Sequence, residues 1–88
     1  MDLEEISESF PDLMRIDGFD DAIVGFVQRI GLQALCYDTM KIIEILGKDM
    51  PIEDAWDYFQ FNIEGAWVGE SSPVFIEFIE KKTTPKGG

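Results

Sequence analysis

Eighty-eight residues with seven Lys plus Arg against eighteen Asp plus Glu, no histidine and one cysteine give a net charge of −11, which disfavours direct contact with nucleic-acid phosphates, since those need a basic surface. A content of 45% hydrophobic and 12% aromatic residues belongs to a folded globule of one domain and not to a disordered acidic tail. Cys36 has no partner for an internal disulfide, the N-terminus carries no basic region followed by an apolar core, and no apolar run reaches the roughly 20 residues that cross a bilayer, so the reading is a cytoplasmic protein without membrane contact.

Taken in order, Leu3 and Ile6 among Asp2, Glu4, Glu5 and Glu8 predict a short helix over residues 2–9, with acids in its first turn and Pro11 beyond its end. Residues 12–21 contain the turn signal Asp17-Gly18 and read as a connector or a short extended segment. From Ala22 two periods compete. Ala22, Val24, Phe26 and Ile30 alternate as a strand would, while Ile23, Phe26, Val27 and Ile30 make a helical stripe. The β-branched residues and Gly25 favour the strand, and Gly31 then turns the chain into an antiparallel second strand over 32–37. The helical alternative for 21–30 stays open, with Asp20 or Asp21 as its cap.

Asp38 predicts an N-cap for a helix over 39–46, where Met40, Ile43 and Leu46 share a face, and Gly47 closes it. Pro51 suits the first position of a second helix, in which Ile52, Ala55, Trp56, Phe59 and Ile63 recur at helical spacing and Glu53, Asp54, Asp57 and Gln60 face water. Gly65 is the expected stop. Residues 69–73 read as a loop, and 74–79 as a last strand. The expected fold is α+β, a small antiparallel sheet of the hairpin plus the C-terminal strand with two helices packed on one face. Residues 1–19 form an N-terminal segment, 20–80 the core and 81–88 a flexible tail, all within a single domain.

The run Asp21-Ala22-Ile23-Val24-Gly25, then Tyr37-Asp38, Glu53-Asp54-Ala55, Tyr58-Phe59, Phe61-Asn62, Gly65-Ala66-Trp67-Val68-Gly69-Glu70 and Pro73 resembles a family of small bacteriophage proteins with no established activity. The resemblance covers residues 20–76, and Pro51 stands where such sequences have a capping Thr or Ser. It implies size and origin, hence a host cytoplasm as the setting, and carries over no catalytic residue or cofactor.

Chemistry is sparse. Without histidine the chain lacks the commonest general base and metal ligand, and no acid, base and nucleophile set stands out, so the chain does not read as an enzyme and implies no cofactor. Cys36 lies in an apolar strand, where a cysteine behaves as a small hydrophobe. Asp17, Asp20 and Asp21 resemble the start of a calcium loop but lack its later oxygen ligands and its terminal glutamate. Candidate binding residues are Asn62, Glu64, Trp67 and Glu70 in the irregular stretch 61–75, with its two glycines and proline, and Trp56, Tyr58, Asp54 and Asp57 on the helix before it. Asn62 and Glu70 have a competing role as internal partners of loop backbone.

Three functions follow from this inventory. The first is an interaction protein that binds and modulates, as an inhibitor for instance, a host protein with a basic surface. A small-molecule module for a nucleotide or metabolite is the second, and a nucleic-acid mimic whose carboxylates stand in for phosphates is the third. The apolar residues of 74–79 further predict a homodimer paired through that strand.

Overall fold

The computed structural model describes residues 2–66 and 71–79. Its organising unit is the hairpin of β1 (Ile23–Arg29) and β2 (Leu32–Asp38), paired antiparallel with Arg29 opposite Leu32. Gly31 makes that two-residue turn possible: its φ is 81°, a left-handed conformation open to glycine at little cost, while Ile30 stays at ordinary φ.

The competing periods of residues 22–30 resolve as a strand with a bulge. Ile23 faces Tyr37 and Gly25 faces Cys36, so Val24 is the extra residue of β1. A regular strand would send Ile23 and Phe26 to opposite faces, being three residues apart. The bulge restores them to one face, and both pack against the core, whereas Val24 is 50% exposed. The apparent helical stripe was thus an interrupted alternation.

β2 is the central strand, with Ala34, Leu35, Cys36 and Tyr37 all buried. Asp38 ends it and caps α2 (Thr39–Leu46), its carboxylate accepting from the N–H groups of Met40 at 3.0 Å and Lys41 at 3.4 Å. Ile42, Ile43 and Leu46 of α2 meet Leu35 and Tyr37 of the sheet in the core, together with Ala55, Phe59 and Ile63 of the second long helical segment. That segment opens with α3 (Ile52–Tyr58), for which Pro51 is the N-cap and not the first helical residue.

Two expectations are corrected. β3 (Val74–Ile76) runs parallel to β2, with Tyr37 opposite Phe75, so the sheet is mixed and not wholly antiparallel. Residue alternation carries no direction, and the connection over 39–73 is long enough to return the chain to the same end of the sheet. The strand is also shorter than 74–79, because residues 77–79 leave the ladder with Phe78 and Ile79 exposed. Pairing of two copies through this strand would therefore rest on a three-residue edge. The proposed tail, 81–88, lies outside the described residues.

The N-terminal segment belongs to the core. α1 (Leu3–Ser9) is closed by a capping box, in which Glu5 N–H donates to the Asp2 carboxylate and Asp2 N–H to that of Glu5. Ile6 and Ile16 are buried with the hairpin. One polar contact fixes the segment: Ile16 N–H donates to the Tyr37 hydroxyl at 2.8 Å, in a buried position 21 residues away in sequence. The Tyr37 ring lies 6.1 Å from that of Phe75, so a single side chain of the central strand bridges the N-terminal segment and β3. Arg15 and Asp20 form a two-point ion pair, at 2.6 and 3.1 Å, on the outside of the same connector. That hydrogen bonding holds the Asp20 carboxyl below its ordinary range, so this aspartate is engaged by a cation already in the chain.

Candidate functional site

The site begins with a mismatch between sequence spacing and helical geometry. Ala55, Phe59 and Ile63 are spaced by four residues, and each four-residue step overshoots a full α-helical turn by about 40°. A continuous α-helix would carry Ile63 about 80° away from Ala55. The segment instead widens into a π-helical turn over Phe59–Ile63 and then tightens into a 3₁₀ turn over Glu64–Ala66. The wider turn brings residues four apart closer to eclipse, and all three side chains are buried. Phe59 anchors this arrangement, with edge-on contacts to Trp56 at 6.3 Å and to Phe75 at 5.2 Å. Winding does not stop at Gly65, where an added Cβ would meet the Gln60 carbonyl oxygen at 3.0 Å.

With that face committed to the core, a flanking face of the same segment is left outside. Asp54, Asp57, Tyr58, Phe61 and Asn62 line a shallow open groove of ≈ 430 Å³, together with Met50 from the connection that precedes α3. Phe61 is 76% exposed and Tyr58 43% exposed, both large for residues of their kind. Asn62 is exposed and lines the groove. Asp54 and Asp57 stand one turn apart on the rim. Among the described residues the ion-paired cations are Arg15 and Lys41, held by Asp20 and Glu44, so neither compensates the rim acids.

Of the expected binding residues, Asp54, Asp57, Tyr58 and Asn62 come together in this groove. Glu64 is exposed on the 3₁₀ turn but does not line it. Trp56 is half-buried and packs against the core beside Phe59. Trp67 and Glu70 lie outside the described residues. Ile52, expected on the core face, is 55% exposed instead. Sequence reasoning missed Met50 and Phe61 as groove residues. The signal for Phe61 was present, since it follows Asp54, Asp57 and Tyr58 at i+7, i+4 and i+3 on the polar side of the helix.

Elsewhere the titratable groups have structural explanations. Burial, with a smaller contribution from Asp38, pushes the Cys36 thiol up, which disfavours its thiolate. Burial likewise raises the Tyr37 hydroxyl above its ordinary value. Among the described residues no three His, Cys, Asp or Glu side chains cluster as metal ligands, and no helix is long and apolar enough to cross a membrane.

Fold and site together define an α+β domain that presents an acid-rimmed apolar groove along one helical face. Comparison of the chain with family profiles, with curated proteins and with solved structures returns no match.

Proposed function

We propose that this protein is a small acidic interaction module that binds a partner protein through a basic surface on the partner and modulates it. The observation that carries the reading is the groove, in which exposed Phe61 and Tyr58 sit beside Asp54 and Asp57 with no described counter-ion. Apolar anchors with an acidic rim suit association with a macromolecule of opposite sign: aromatics supply most of the buried area at such contacts, and the charges steer encounter and set register. The charge of −11 extends the attraction beyond the groove, to a range of about 8 Å at physiological salt. Resemblance to small bacteriophage proteins makes a bacterial host protein the partner to look for, with inhibition by occlusion of its basic surface as the mode of action.

The test is affinity capture from bacterial lysate at low and at high salt, using the wild-type chain and the variant Asp54→Asn/Asp57→Asn/Phe61→Ser. All three positions are exposed, so the variant should keep the fold within about 0.5 kcal/mol per site. The reading expects a stoichiometric, salt-sensitive partner recovered by the wild type and lost with the folded variant. Equal recovery by both proteins, or no partner at low salt, contradicts it.

A further inference from the structure

We infer that the groove receives a cationic amphipathic helix of the partner, one that presents Arg or Lys side chains a single turn apart and a bulky apolar side chain one turn further on. The inference rests on the reading of the groove as a partner-binding surface, and it names the element that fills it. The argument is one of period. Relative to Asp54, the groove residues fall at i+3, i+4, i+7 and i+8, as Asp57, Tyr58, Phe61 and Asn62. They lie along α3 and the π-helical turn that follows it, with acids at one end and aromatics towards the other.

A second helix laid nearly along this one offers side chains at the same axial steps, about 4.5 to 6 Å, that separate Asp54 from Asp57 and Tyr58 on α3. An extended segment repeats on one face about every 6.6 Å, longer than either step. The two carboxylates select the sign of the occupant. Arg fits best of the cations, because its guanidinium can engage a carboxylate at two points. Phe61 and Met50 select an apolar anchor, methionine being well suited to surfaces of irregular shape. The Asn62 amide can bond a polar group at the end of the docked helix.

The probe is a peptide obtained by selection. A display library of random peptides, each about 18 residues long so that helix can form, is panned against the immobilised full chain. The best binder is synthesised, its affinity measured by fluorescence anisotropy, and its conformation followed by circular dichroism. The expected result is enrichment of sequences with Arg or Lys at i and i+3 or i+4 and a bulky apolar residue near i+7. Helix content should rise on binding, and affinity should fall about tenfold or more for Asp54→Asn/Asp57→Asn and, separately, for Phe61→Ser. Thermal melts matching the wild type establish that each variant is folded.

Enrichment of extended or proline-rich sequences, or of binders that those substitutions leave unmoved, overturns the inference, and so does the absence of enrichment. None of these results bears on capture of a whole partner by the wild type and its loss with the groove variant, so the helix can fail while the broader function stands. Failure of the wild type to capture a partner, or equal capture by the groove variant, would remove both.

Discussion

Replacing Tyr37 by Phe removes one oxygen atom and leaves the ring between Ile16 and Phe75. In the wild type that oxygen accepts the Ile16 N–H at 2.8 Å within the buried core. Without it the amide loses its described partner, and an unsatisfied buried donor costs about 1–3 kcal/mol, more than the net worth of an ordinary hydrogen bond. The ring contacts survive the change, so the full cost of a cavity does not apply. We expect a loss of about 1.5–2.5 kcal/mol in urea denaturation with an unchanged slope. For a domain of this size that corresponds to a fall in Tm of about 6–15 °C. Hydrogen exchange at the Ile16 amide should accelerate more than exchange in α2, because the bond ties down the N-terminal segment specifically. A loss below about 0.5 kcal/mol with Ile16 still protected would refute the claim that Tyr37 pins this segment.

Other consequences are equally open to measurement. Deleting Val24 should leave a cooperatively folded protein, because Ile23 and Gly25 already face consecutive residues of β2 and the shortened strand pairs without a bulge; a chain that no longer unfolds cooperatively would contradict the bulge. Asp38→Ala should cost about 1 kcal/mol by removing the cap of α2, seen as a lower urea midpoint, and an unchanged midpoint would mean the cap is dispensable. Stability should also fall in strong alkali. Burial raises the Tyr37 hydroxyl in the folded chain, so its contribution is complete below the unfolded tyrosine value near 10 and is lost as pH rises through the higher folded value. Tyr37→Phe should flatten that alkaline limb of a melting curve taken against pH, and a limb of the same steepness would assign the effect elsewhere.

Much of the fold was legible because its signals are local. Asp38 as a cap, Gly31 as a turn and the Ile43 and Leu46 stripe of α2 each rest on neighbours within a few residues, while Met40, expected on that stripe, is 50% exposed and gives its place to Ile42. The direction of β3 was not legible, since Val74, Phe75 and Ile76 alternate identically in a parallel or an antiparallel ladder. Nor was the contact of Tyr37 with Ile16, which joins residues that no periodicity relates. The bulge at Val24 disguised a strand as a possible helix by shifting the alternation of Ile23 and Phe26. At the groove, the acids and Tyr58 were visible as a polar helix face. Phe61 was hidden because a large aromatic is read as core, and only the π-helical turn, by recalling Ile63 to the interior, shows that the core face has no place for it.

The account turns on whether the face bearing Phe61 meets a partner. A photo-crosslinking amino acid placed at position 61, and in a separate protein at the exposed strand residue Gln28, tests this most directly in bacterial lysate. The groove predicts a discrete adduct of one mass from position 61, weakened by high salt and by Asp54→Asn/Asp57→Asn, with no such adduct from position 28. An adduct from position 28 in the absence of one from position 61 would contradict it.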